Sequence, residues 1–287
     1  MKTLLVATDF SERSDRALRR ATLLARQFEA AIRLVHVVDD DQPRRLVDAG
    51  RDVASRLLRQ MASTLRDVDG VACETRIILA SPFVGIVQAV ADTVPDLLVL
   101  GSHRRQVLRD VFVGTTAERT IRSVDCPVLM VNATPAGHYR HVLQTTDLSD
   151  PSRDGLQRFR ALGVGERARN SLLYLFDAPA LRLAMVHTMP QDDQKKYLMD
   201  ELTDAARELA AFSALAGLHD VRHLARYEAT AAQHEILKVA EEEHADLIVL
   251  STNGRGGIAK VLIGSVTERV LRNSSVDVLA VPLRRQR

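Results

Sequence analysis

The chain repeats itself, and this repeat limits its possible folds more than any other feature. Leu4-Leu5-Val6-Ala7-Thr8-Asp9-Phe10-Ser11 corresponds to Val142-Leu143-Gln144-Thr145-Thr146-Asp147-Leu148-Ser149, 138 positions on. Asp96-Leu97-Leu98-Val99-Leu100-Gly101-Ser102 corresponds to Asp246-Leu247-Ile248-Val249-Leu250-Ser251-Thr252, now 150 positions on. Gly114-Thr115-Thr116-Ala117-Glu118-Arg119 and Gly264-Ser265-Val266-Thr267-Glu268-Arg269 keep that second offset. A tandem duplication accounts for both offsets: two similar domains, 1–133 and 139–284, with a linker at 132–139 that contains Pro135 and Gly137. The length of 287 residues suits two ordinary domains. The change of offset puts 12 extra residues between the second and fourth strands of the second half. They are expected to lengthen the crossover at 178–217, with Gln191-Asp192-Asp193-Gln194-Lys195-Lys196 as a polar break between apolar segments.

Within the first half, short apolar runs at 3–8, 31–38, 73–79, 97–101 and 128–131 read as strands buried on both faces. Helical patterns at 15–28, 44–65, 83–93 and 115–123 alternate with them, and the second half repeats the order. Alternating βαβ units predict an α/β fold of two similar doubly wound domains, each a five-stranded parallel sheet with helices on both faces. Ligands of such sheets sit at the strand carboxyl ends, at the topological switch point.

Composition excludes several classes. Lys and Arg number 39 against 37 Asp and Glu, so net charge gives no pull toward nucleic acid, and no DNA partner is expected. Aromatics make up 4% with no Trp, which is poor material for stacking single-stranded bases. Cys73 and Cys126 form no CxxC pair, so neither a disulfide framework nor a zinc site follows. No apolar run approaches the roughly 20 residues of a membrane span. A cytoplasmic location is expected.

The strongest constellation follows the fourth strand of the second half. Ser251-Thr252-Asn253-Gly254 is followed, nine residues later, by Gly264-Ser265. A glycine turn after a strand lets backbone N–H groups approach an anion, and the start of a helix offers further amides and a hydroxyl. Two cradles at this spacing suit a di- or triphosphate. The alternative is an ordinary turn and a helix capped by Ser265.

These residues resemble the universal stress protein family. Its pattern is Gly, two residues, Gly, nine residues, then Gly and Ser or Thr, and many members bind ATP there. The second half departs once, with Ser251 at the first glycine; the first half has Gly101, Gly114 and Thr115 but Arg104 at the middle glycine. A strand ending in Asp-x-Ser, another family feature, occurs at Asp9 and at Asp147. The ends of the second strands, Val35-His36-Val37-Val38-Asp39 and Leu173-Tyr174-Leu175-Phe176-Asp177, fit as well. The resemblance spans essentially the whole chain and implies a tandem member with the adenine nucleotide alpha hydrolase-like fold.

Carried over by position, the resemblance implies that Asp147 and the backbone of Leu175 contact adenine and that Leu250 lines the base pocket. Ser251, Gly254, Gly264, Ser265 and Val266 would hold ribose or phosphates. Asp9, Val37, Gly101, Gly114 and Thr115 hold the matching places in the first half. The implied cofactor is ATP or ADP, with Mg as the accompanying ion. Single-domain members pair through the final strand, so 128–131 and 278–281 are expected to pair within one chain, and two such chains to form a homodimer. Asp9 also admits a simpler role, since Asp9-Phe10-Ser11-Glu12 has capping-box spacing. Arg104 either crowds a backbone-lined phosphate site or pairs with the phosphate.

Competing motifs are weaker. Gly254-Arg255-Gly256-Gly257-Ile258-Ala259 matches a loose dinucleotide fingerprint, but only one strand follows it. His219 and His223 fall at a predicted strand, 220–227, where a four-residue spacing does not bring them together. Glu241-Glu242-Glu243 reads as a solvated helix face. No serine lies in G-x-S-x-G, and no base is placed to orient a water for ATP hydrolysis. Three readings remain: a regulatory nucleotide binder with its site mainly in the second half, a nucleotide-free stress adaptor, and a slow ATPase.

Overall fold

The computed structural model describes residues 1–102, 116–182, 190–252 and 264–282. The first half runs β1 (Thr3–Ala7), α1 (Glu12–Phe28), β2 (Ala31–Val38), α2 (Arg44–Asp67), β3 (Cys73–Leu79), α3 (Pro82–Thr93), β4 (Leu97–Gly101), α4 (Thr116–Ser123) and β5 (Val128–Val131). The second runs β6 (His141–Thr146), α5 (Asp150–Leu162), β7 (Arg169–Phe176), α6 (Pro179–Arg182), α7 (Gln191–Leu215), β8 (Arg222–Tyr227), α8 (Ala232–Glu242), β9 (Leu247–Ser251), α9 (Ser265–Asn273) and β10 (Asp277–Val281).

The ten strands form one sheet in the order β3-β2-β1-β4-β5-β10-β9-β6-β7-β8. Within each half all neighbouring strands are parallel, which makes two doubly wound five-stranded units. Among the described residues the single antiparallel contact joins β5 to β10, with Met130 opposite Val278, Leu129 opposite Leu279 and Val128 opposite Ala280. Consecutive residues Leu4, Leu5 and Val6 are all buried, as the unbroken apolar run requires when helices cover both faces.

Two cores follow the two faces of the sheet, and each crosses from one half into the other. On one face α1, α2 and α5 pack Ala21, Leu58 and Phe159 over Leu4, Ile32 and Leu279. On the other, α3, α4, α8 and α9 supply Ile86, Ile121, Ile236 and Val270 over Leu5, Leu98 and Ala280. A smaller cluster packs Leu209 and Phe212 of α7 on Leu172 and Phe176 of β7.

Polar contacts also link the halves. Asp277, fully buried at the start of β10, accepts from Arg20 Nε at 3.1 Å, from Tyr139 Oη at 2.6 Å and from the N–H groups of Asn132 and Ala133. Arg272 on α9 holds Glu118 on α4 through two bonds of 2.6 and 2.9 Å, and Arg122 holds Glu268 at 2.9 Å. Each of these residues lies 150 positions from its counterpart, so the two pairs are the same contact made twice across a pseudo-twofold axis.

Two local expectations need correction. The polar stretch Gln191–Lys196 is not a break but the opening of α7. Most of the difference in length lies just before it: 14 residues (177–190) separate β7 from α7, against five (39–43) between β2 and α2, which accounts for nine of the 12. Helix α1 begins at Glu12 rather than at 15, because Ser11 is its N-cap and accepts from the N–H of Ser14.

Candidate functional site

In each half the first and fourth strands are neighbours, and the chain leaves the sheet on opposite sides of them. This is the switch point, and the residues expected to act lie at its carboxyl edge. In the first half a cleft of about 320 Å³ opens there, lined by Asp9, Ser11, Val37, Leu100, Gly101 and Thr116 among others. Gly114, Thr115 and Arg104, and Gly254 in the second half, lie outside the described residues.

The turn after the first strand is built twice in the same way. Asp9 Oδ1 accepts from both the N–H and the hydroxyl of Ser11; Asp147 Oδ1 accepts from the same groups of Ser149. Thr8 Oγ1 receives the N–H of Phe10 and the hydroxyl of Ser14 is within 3.1 Å of it; Thr146, Leu148 and Ser152 repeat this. Phe10 and Leu148 pay a backbone cost, with φ of 60° and 63° in a region ordinary side chains avoid. The capping-box reading of Asp9 therefore fails: Ser11 and Ser149 cap the helices, and the carboxylates hold the caps. Burial alone would raise the Asp9 carboxyl. The Ser11 bonds, Ser14 and the Arg13 guanidinium outweigh it and leave Asp9 below the ordinary carboxylate value.

The second strands reach past the first. Pairing of β2 with β1 stops at Val35 opposite Ala7, and pairing of β7 with β6 stops at Tyr174 opposite Thr146. Val37 and Leu175 thus extend two and one residues beyond their neighbours, on the side facing the switch point, while their side chains pack against the core. Phe10 and His36 stack with ring centroids 4.3 Å apart, and His36 Nδ1 lies 2.8 Å from the Thr8 carbonyl oxygen.

The fourth strands end differently in the two halves. Gly101 lies against the first turn of α1: a Cβ there would stand 2.7 Å from the Arg13 carbonyl oxygen. Ser251, its counterpart, has a side chain to place, and the facing helix provides room. A Cβ on Gly155 of α5 would stand 2.7 Å from Ser251 Oγ. Leu250 is buried in the core and Val266 packs against the same core.

Helix α9 begins with Gly264 as its N-cap and no side-chain capping bond, so Ser265 is the first helical residue rather than the cap. The Gly264 N–H donates to the Thr252 carbonyl oxygen at 2.8 Å, tying the helix start to the end of β9. Thr267 reinforces that tie through a bond to the Ser251 carbonyl oxygen. Among the described residues, a Cβ on Gly264 would meet only that Thr252 oxygen at 3.6 Å, an ordinary contact. Asp147, Leu175, Ser251, Gly264 and Ser265 are therefore gathered at the carboxyl ends of three adjacent strands, β7, β6 and β9.

A doubly wound sheet with an uncapped helix start at its switch point is an α/β architecture in which ligands of the class sit at that edge. The Universal stress protein family model matches the chain twice, over residues 1–132 and 138–282, and the chain belongs to that family. A universal stress protein of Methanocaldococcus jannaschii is 30% identical over 138 residues, 45% of this chain and 81% of its own length. A putative universal stress protein of Staphylococcus aureus is 29% identical over 146 residues, 50% of this chain and 84% of its own. Among solved structures, a universal stress protein of Archaeoglobus fulgidus superposes with a TM-score of 0.70 at 18% identity, covering 98% of both chains. Its likeness concerns the fold. Among the described residues no helix is long and apolar enough to cross a membrane.

Proposed function

We propose that this protein is a cytoplasmic stress-response factor that binds an adenine nucleotide, ATP or ADP with Mg, as a regulatory ligand, chiefly in its second half. The observation that carries the reading is the start of α9. Its first amides have no side-chain cap, Gly264 holds them against the end of β9, and Asp147 and Leu175 stand across the switch point. A polyphosphate would take the amides of Gly264, Ser265 and Val266, with Gly254 completing the cradle, while Asp147 and the Leu175 backbone would read the base. The β5–β10 pairing would hold both clefts in one pseudo-twofold unit, with domains at 1–133 and 139–284.

The test is to denature the purified protein and look for released adenine nucleotide, and to follow the melting temperature of stripped protein in millimolar Mg-ATP. A ligand that binds only the folded state raises that temperature. No released nucleotide and no shift would instead favour the nucleotide-free adaptor. Arg104 at the middle glycine is the observation on that reading's side for the first half. If Arg104 blocks a backbone cradle, Arg104→Gly raises the nucleotide stoichiometry per chain; if it clamps phosphate, the stoichiometry falls. We expect a rise.

A further inference from the structure

The two ends of the ten-stranded sheet are both open edges, and they are treated differently. At the β8 edge, Arg222 and Arg226 pair with Glu243 and Glu242 at 2.9 and 2.6 Å. At the β3 edge, a groove of about 770 Å³ runs between α2 and the strand. Arg51, Arg56 and Arg59 of α2 line it, exposed and in no ion pair among the described residues, with one carboxylate, Asp52, beside them.

The strand side of the groove is Thr75, Arg76, Ile77 and Leu79, with the Arg76 guanidinium paired to Asp92 of α3 at 2.7 Å. In a parallel pair alternate residues of a strand bond to its neighbour and the others turn their N–H and C=O away. Ile32 N–H donates to the Ala72 carbonyl and Ala80 N–H to the Val38 carbonyl, so the even-numbered residues of β3 serve β2. The backbone groups of Thr75, Ile77 and Leu79 therefore face outward. The next outward carbonyl, that of Cys73, is already taken by Arg66 Nη1 at 3.0 Å, which closes one end of the open edge. Leu79 marks the other end and is 44% exposed.

We infer that this edge accepts an extended peptide segment of a partner protein, added as an eleventh strand, with acidic side chains at alternate positions. The open stretch from Thr75 to Leu79 spans about 13 Å at ~3.3 Å per residue, enough for a strand of roughly five residues. Alternate side chains of an added strand point to the α2 side, where three guanidinium groups await carboxylates. Cations that merely guarded an edge would serve best on the strand itself. Here the strand's own Arg76 is taken up by Asp92, the unpaired cations come from the helix, and the backbone row stays open. A second copy of this chain would fit poorly: its β3 edge brings the same three arginines, and at its β8 edge Glu242 and Glu243 are already spent on Arg226 and Arg222.

The experiment uses the full chain and fluorescence anisotropy with a fluorescein-labelled peptide of about nine residues alternating Glu and Val. Saturable binding is expected, with none for the matching Lys and Val peptide. N-methylation of alternate peptide amides should abolish binding, because it removes the backbone bonds and keeps the charges. The Arg51→Glu, Arg56→Glu double variant changes two exposed side chains; it should keep its melting temperature and lose about tenfold or more in affinity. Three results would overturn the inference: no binding of the acidic peptide, equal binding of the N-methylated peptide, or unchanged affinity in the double variant. The second would show a general polyanion groove in place of strand addition.

Discussion

Gly155 on α5 and Ser251 at the end of β9 are fitted to each other: a single methyl group on Gly155 would fall 2.7 Å from the serine hydroxyl. In the first half the strand position is Gly101, which lies against the Arg13 carbonyl, and the helix position matching Gly155 is Ala17, fully buried. The serine that departs from the family's first glycine is thus matched by a change on the facing helix.

Gly155→Ala should therefore destabilise the protein by about 1–3 kcal/mol, the usual cost of inserting a methyl group into a packed contact. Adding Ser251→Gly should recover most of that loss, because it removes the hydroxyl that the new methyl group meets. Urea unfolding of the two single variants and the double variant measures the coupling, and additive losses would refute the pairing.

Asp277 is the buried anion that fastens β10, the linker and α1 together. Removing it in Asp277→Ala would leave Arg20 buried without its carboxylate, and we expect a loss of about 3–5 kcal/mol. The Tyr139 hydroxyl, which burial and then Asp277 push well above its ordinary pKa, would lose its acceptor as well. A melting temperature within a degree or so of the parent would contradict this account.

His141 sits buried at the start of β6, with Nδ1 2.7 Å from the Glu243 carbonyl oxygen and Nε2 2.9 Å from Ser171 Oγ. Burial, aided by the nearby Arg169 guanidinium, lowers its pKa below 6.5, against the pull of the Glu243 carbonyl. The unfolded chain then takes up a proton that the folded ring resists. This group's contribution to stability is complete above about pH 6.5 and is lost as pH falls through the folded value. His141→Gln should be less stable at neutral pH yet show a shallower decline on acidification. Urea midpoints across the mildly acidic range test the slope.

Gly264→Val separates fold from ligand. Among the described residues a Cβ there meets nothing closer than 3.6 Å, so the fold should lose no more than about 1 kcal/mol. The branched side chain would stand where a phosphate approaches the amides of α9, and calorimetry should show nucleotide affinity reduced by tenfold or more, about 1.4 kcal/mol. Retained ATP binding would place the phosphates elsewhere.

Much of the architecture is legible in the sequence because it repeats. Strands buried on both faces give unbroken apolar runs such as Leu4-Leu5-Val6, and duplication shows each one twice. Other features depend on contacts that local pattern does not carry. Asp9 and Ser11 are both good cap residues, and only the backbone at Phe10, with φ of 60°, decides that Ser11 takes the role. The polar opening of α7 looks like a break because its first turns lie mostly in solvent. Gly155 reads as an ordinary glycine within a helix until Ser251 is brought beside it. The Glu118–Arg272 pair joins residues 154 positions apart and is visible only once β5 and β10 meet. One signal was present: Glu118, Arg122, Glu268 and Arg272 keep the same spacing in both halves.

The antiparallel contact of β5 with β10 has a consequence for inheritance. When two separate chains make such a contact, every substitution is expressed on both sides of it, and a change in one cleft is a change in both. Here the two sides are separate stretches of one gene. Arg104 in one half and Ser251 with Gly155 in the other can each be selected alone. The partner is always present at the effective concentration of a tether, whatever the cellular level, and no single-domain relative need be excluded by sorting. The fold has become a permanent heterodimer whose two sides can change independently.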